Sequence, residues 1–325
     1  MSTPGKNFSS ADTTVAVAPP VSGAARQSML KTMVVLIRRE LWEHRVLWVT
    51  PLIVGGLLVL TAFPIHIGSM PYGTHGQALG TSRNQLAMFT LMLWGQAVPQ
   101  YLVMGIVLSF YLLDCLYAER KDRSILFWKS LPVSDADTVL SKFLVAAVVV
   151  PFGVYLTAMV SGVLFQSIWA VRAASGALPN IAVGWDMVAW LKVQGLMLYG
   201  LVVAILWYAP MAAFLLLVSA WARRSVFLWA TLPPVIAIVI ERAAFGTRYT
   251  EHLLEYRNWS GLWNALLVQP IMPESSPGQL VSLAELFDNV SMTRPFLNID
   301  VWLGLAVAAV FVAAAIRLRR YRDDT

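Results

Sequence analysis

Apolar residues arrive along this chain in unbroken blocks of about the length that crosses a bilayer core as a helix, roughly 20 residues. Residues 143–160 form such a block. In hydrocarbon every backbone N–H and C=O needs an internal partner, which leaves α-helices or a closed β-barrel. Barrel strands alternate apolar and polar side chains, and 143–160 shows no alternation. The expected fold is therefore an all-α integral membrane protein. Composition agrees: 58% of residues are hydrophobic and 13% charged, against roughly a quarter charged in soluble domains.

Six spans are expected, at about 46–65, 97–116, 143–168, 193–220, 226–245 and 301–316. Pro99 is expected to divide the long block 86–116 into a short entry segment and the second span, Pro210 to kink the fourth, and Pro233-Pro234 to interrupt the fifth. Residues 1–25, rich in Ser, Thr, Ala, Pro and Gly, read as a disordered cytoplasmic tail without the apolar core of a signal peptide. Within 26–45, Met33, Leu36, Ile37, Leu41 and Trp42 recur at three- and four-residue steps among charges. This predicts an amphipathic helix on the bilayer surface. The six-span domain occupies 46–316, with a larger outer region at 246–298 and a basic cytoplasmic tail at 317–325.

Of the 24 Lys and Arg, seventeen fall on one side of this layout and seven on the other. Basic residues mark the cytoplasmic side, so both termini are expected inside, which requires an even number of spans. The pI near 9.5 thus reports orientation and not nucleic-acid binding. Tryptophans 48, 94, 169, 207, 229 and 302 are expected to anchor at the interfaces. Cys115, the one cysteine, excludes an internal disulfide and reads as a packing residue.

Catalytic signatures are absent from the sequence. There is no G-x-x-x-x-G-K-[ST] phosphate loop, no H-E-x-x-H and no G-x-S-x-G. His44, His66, His75 and His252 are scattered without metal-ligand spacing. The chain is expected not to be an enzyme by itself and to bind no cofactor or metal.

The chemistry-bearing stretch is the cytoplasmic loop 117–142 between spans two and three. Dense charge at its start leads into Ile125, Leu126, Phe127, Trp128 and Leu131 within one short helix that Pro132 stops. Ser134, followed by Asp135 and Asp137, is placed to cap the next helix. A greasy knob with a basic rim fits a partner's cleft, and fits equally an interfacial helix resting on lipid. Glu119-Arg120, then Ser124, then Leu131-Pro132-Val133-Ser134 resembles the loop of ABC-2 type permeases, "E-R … G/S-T … L-P-V-S", although glycine is common where Ser124 stands. The amphipathic helix, six spans and inside termini resemble that family's layout throughout.

What the resemblance implies is a membrane-embedded permease subunit of an ATP-driven exporter. It would sit in the cell membrane, in bacteria the inner one, paired with a second permease copy and surrounded by lipid. A separate cytoplasmic ATP-binding subunit would use ATP and Mg²⁺. The resemblance makes the short helix a coupling helix, with Glu119, Arg120, Phe127, Trp128, Leu131 and Pro132 as ATPase contacts. The alternative is a non-transporting membrane anchor or sensor that docks a cytoplasmic protein through the same helix.

Polar residues near or inside the spans are costly in hydrocarbon and so have partners or a task. Asp114, Gln96, Gln100, Gln194, Glu241 and Arg242 are candidates for a gate or pathway. Their plainer reading is local: Glu241 and Arg242 capping and pairing at the interface, and the glutamines satisfying one another between helices.

Overall fold

In a computed structural model the described residues are 22–63, 82–122, 133–175, 187–267 and 289–321. They form α1 (Ser22–Glu43), α2 (Val46–Leu60), α3 (Ser82–Asp114), α4 (Tyr117–Lys121) and α5 (Asp135–Leu144). A π-helical turn, Val145–Val149, joins α5 to α6 (Val150–Ala174). Then follow α7 (Met187–Trp221), α8 (Val226–Phe245), α9 (Tyr249–Glu255), a second π turn (Tyr256–Ser260), α10 (Gly261–Leu266), α11 (Arg294–Leu297) and α12 (Ile299–Tyr321). No strand occurs among the described residues; one isolated bridge pairs Leu267 with Val290.

Five helical segments are long and apolar enough to cross a membrane: Met92–Lys121, Asp135–Arg172, Met187–Trp221, Val226–Phe245 and Ile299–Tyr321. A further one arises only if α1 and α2, bent by 60° at His44-Arg45, count together. The chain is thus an all-α, multi-pass membrane protein. Taken alone, the 15 residues of α2 reach about 22 Å at 1.5 Å each, short of a core of about 30 Å.

Three expectations are corrected. Pro99 does not divide its block, for α3 runs through it unbroken. Proline removes the N–H bond to the residue four before and crowds that carbonyl. Here that residue is Gly95, and the Gln100 amide donates to the Gln96 carbonyl at 2.8 Å, holding the neighbouring turn closed. Pro233-Pro234 likewise leaves α8 continuous, because proline's fixed φ is already helical and only two ladder bonds are lost. Third, α1 begins at Ser22, inside the expected tail, because Ala24 and Ala25 are strong helix formers. Residues 1–21 lie outside the described residues.

The cap expected at Ser134 is formed: its hydroxyl accepts from the Asp137 N–H at 3.0 Å. The π turn meets Pro151 in a different way. The Val150 N–H reaches back five residues to the Val145 carbonyl, a widened turn next to a residue that has no N–H to give. Helices α5 and α6 therefore form one rod with a bulge.

α12 lies along α7, while α2, α3 and α6 pack on one another. The largest apolar core, including Met104, Leu112, Val150, Ala213, Leu216 and Ala315, joins the two groups. α8 stands apart: only Val226 and Ala230 of its residues are buried. Cys115 is buried in the main core, as a packing residue should be.

Candidate functional site

The charged loop 117–142 meets the bundle through ion pairs buried at one end of it. α4 carries Glu119 just past the end of α3. α5 brings Lys142 one turn before the π bulge, α1 brings Glu40, and the last turns of α12 bring Arg319. Lys142 Nζ donates to Glu40 Oε1 at 2.7 Å and lies 3.1 Å from Glu119 Oε1. Arg319 Nη1 donates to the other oxygen of Glu119, and Arg319 Nε to Asp135 Oδ1 at 3.1 Å. The Tyr111 hydroxyl closes the chain by donating to Glu40 Oε2 at 3.0 Å. Glu40 and Lys142 are each 1% exposed. Three carboxylates and two cations thus neutralise one another across five helices, the condition under which charge survives burial.

Arg120, next in sequence to Glu119, faces the other way. Its guanidinium donates to the Ser219 carbonyl and, at 3.0 Å, to that of Ala222. These carbonyls end α7, where bonds within the helix run out and a cation is favoured. Ser219 replies with its hydroxyl oxygen, which accepts the N–H groups of Leu116 and Tyr117 at 3.1 Å each. The Glu-Arg pair therefore fastens the start of the loop in two directions: Glu119 to α5 and α12, Arg120 to the end of α7. Residues 123–132, with Phe127, Trp128, Leu131 and Pro132, lie outside the described residues.

The candidate pathway residues fall in separate places. Gln100 is wholly buried; its amide donates to Ser161 Oγ at 2.9 Å and its carbonyl oxygen accepts from Thr157 at 3.2 Å, tying α3 to α6. Gln96, one turn away, is also buried, with its side-chain oxygen unpartnered among the described residues. Gln194 is buried on α7, its backbone carbonyl accepting from the Tyr155 hydroxyl at 3.2 Å. Asp114 is exposed at the end of α3. At the far end of α8, Glu241 accepts from the backbone N–H groups of Tyr249 and Thr250, the first residues of α9, and from the Thr247 hydroxyl. Arg242 pairs with Glu251 at 2.7 Å. The two hold α9 against α8.

A second polar knot was not anticipated. Trp207, expected at an interface, is fully buried on α7. Its indole N–H donates to the Arg257 carbonyl at 2.8 Å, and the Arg257 guanidinium lies 4.5 Å from the indole ring and donates to the Trp207 carbonyl at 2.7 Å. Arg257 also donates to the Asp300 carbonyl at 3.1 Å, and Tyr256 to the Asp300 carboxylate at 2.8 Å. Gly304 of α12 and Gly261 of α10 leave room for this: a Cβ at Gly304 would collide with the guanidinium, and one at Gly261 with the indole. The opposite face of the interface model holds elsewhere, since Trp48, Trp229 and Trp302 are exposed.

Glu40, Lys142 and Arg319 were not singled out by sequence, where each counted only as a charge flanking a span. The signal for Glu40 was present: it follows Leu36 and Ile37 by four and three residues, on the stripe that packs inward. Glu40, Glu43 and His44 bring ligand atoms within 4.8 Å of one another. Glu40 already holds Lys142, however, and Glu43 holds Arg39 at 2.8 Å. No protein-family model, curated protein or solved structure matches the chain.

Proposed function

We propose that this chain is the membrane-embedded permease subunit of an ATP-driven exporter of the ABC-2 type, working as a dimer with a separate cytoplasmic ATP-binding subunit. The observation that carries the reading is the buried charge network at the base of loop 117–142. A loop that only rested on lipid would need no such anchorage, whereas one that receives force must be joined stiffly to what it moves. Here α4 and α5, which flank the loop, are joined by ion pairs to α1 and α12, the first and last helices of the chain. Glu119 and Arg120 then act as the loop's fastenings, and the aromatic knob of Phe127 and Trp128 makes the contact with the ATPase.

Six spans and inside termini belong to the same reading. The network places the end of α1 and the end of α12 together at one end of the bundle, which an even number of crossings requires. The bent α1–α2 pair supplies the sixth crossing. The Lys and Arg bias puts that end in the cytoplasm. ATP-driven closure of two partner ATPases would push the loops and shift the dimer between two access states, since binding energy can bias a bistable assembly.

The test is reconstitution of the chain with its ATPase in vesicles, with Phe127→Ala and Trp128→Ala side by side with the parent. ATP-dependent solute movement that is lost in the variants supports the permease. Recruitment of the ATPase without movement at any time identifies an anchor instead. A cysteine introduced at Ser130 should resist an impermeant thiol reagent added outside intact cells. Its labelling there would end the proposal.

A further inference from the structure

A half-open groove of about 560 Å³ runs between α3, the first π turn and α7, with α10 at one end. Ligand sites commonly occupy roughly 300–1,000 Å³. On α3 its lining extends from Trp94 to Leu112, about 27 Å at 1.5 Å per residue, close to the thickness of a hydrocarbon core. None of the lining residues is Asp, Glu, Lys, Arg or His.

Most polar groups along the groove are already engaged. The Ser109 hydroxyl donates to the Gly105 carbonyl at 2.8 Å, Tyr199 to the Ser291 carbonyl at 3.0 Å, and Tyr208 to the Asn258 carbonyl at 3.1 Å. Trp94, at the end of the groove remote from the charge network, is different: its indole N–H is buried and has no acceptor among the described residues. A buried donor without a partner is costly and calls for one.

We propose that the groove holds the acyl chain of a membrane amphiphile, with an ester or amide oxygen of its head accepting from the Trp94 indole. A charged or many-hydroxylated solute would lose its hydration along this wall and regain almost nothing. An extended apolar chain loses nothing and buries its methylenes. The groove's length and narrowness, and its single donor at one end, match a tail with one polar terminus. Calling this amphiphile the exported substrate rests on the permease reading; its binding does not.

The experiment uses the full chain in phosphatidylcholine vesicles carrying a small fraction of phosphatidylcholine with a diazirine in an ester-linked acyl chain. After irradiation, label should concentrate in peptides covering 97–112 and 196–215. Gly105→Phe and Gly200→Phe, tested separately, should each reduce that label to background; both line the groove, and an added Cβ there meets open space. Gly56→Phe, equally free of neighbours but on α2, should leave it unchanged. Trp94→Phe should lower it roughly threefold to tenfold, the worth of one hydrogen bond, and should do so less with an ether-linked probe. Label spread evenly over exposed helices such as α8, or label indifferent to both filling variants, overturns the proposal. The measurement contains no ATPase, so loss of ATP-driven movement with labelling intact removes the transport reading and leaves the groove standing.

Discussion

Lys142 and Glu40, 102 positions apart in sequence, meet at 2.7 Å with almost no exposed surface on either. The contact joins the helix after the loop to the helix before the first span, and both residues are tied onward, to Glu119 and Tyr111. Breaking such a pair from one side leaves a charge buried without compensation, at about 3–5 kcal/mol. Lys142→Met should therefore lower the unfolding temperature in detergent sharply. Glu40→Gln combined with Lys142→Met should recover part of the loss, because the stranded carboxylate is removed with its partner. A double variant as unstable as the two single losses added together would show that the residues act independently.

Arg120 should behave as a cap and not as a surface charge. Arg120→Ala strips the Ser219 and Ala222 carbonyls of their donor, and hydrogen bonds to charged groups are worth roughly 1.5–3 kcal/mol. Amide exchange at the end of α7 should accelerate. Lysine, with one compact ammonium in place of a planar fork, should restore less than half of the protection. An unchanged exchange rate in Arg120→Ala would contradict the cap.

Gly304 should tolerate no side chain while Arg257 is present. Gly304→Ala drives a methyl into the guanidinium, and overpacking of this kind costs roughly 1–3 kcal/mol. In Arg257→Ala the space is vacated, so the added methyl should cost far less in that background. A thermal-unfolding cycle over the four proteins reads this coupling directly.

Glu241 should prove a fastening for α9. Glu241→Gln weakens its grip on the N–H groups of Tyr249 and Thr250, so limited proteolysis near Tyr249 should quicken while the spans keep their protection. If solute movement in the reconstituted system changes and proteolysis near Tyr249 does not, Glu241 belongs to the pathway after all.

How much of this could be read from the residues follows from what kind of force each feature obeys. α8 was legible to the residue, Val226–Phe245, because a span is set by transfer from water to hydrocarbon, a property of each side chain alone. The Ser134 cap was legible too, since it is satisfied within four residues. The prolines misled because a rule learned in water applies weakly where Gly95 yields space and a Gln100 amide stitches the turn. The network around Lys142 was hidden for a deeper reason. Its members come from separate helices, and only their packing converts charges that look like topological markers into partners. Trp207 went astray the same way: nothing local announces that Arg257 will return from the far end of the chain to cover it.

The near-isolation of α8 sets where this protein feels its surroundings. Its 20 residues span about 30 Å, it is the least covered of the membrane-crossing segments, and ionic fastenings hold it at Glu241 and Arg242. Hydrophobic mismatch is relieved by tilt, and tilt is resisted by neighbouring helices. A thicker or thinner bilayer should therefore turn α8 first, with α7 and α12 held upright beside it, and lipid composition would reach the rest of the bundle through the α8–α9 elbow.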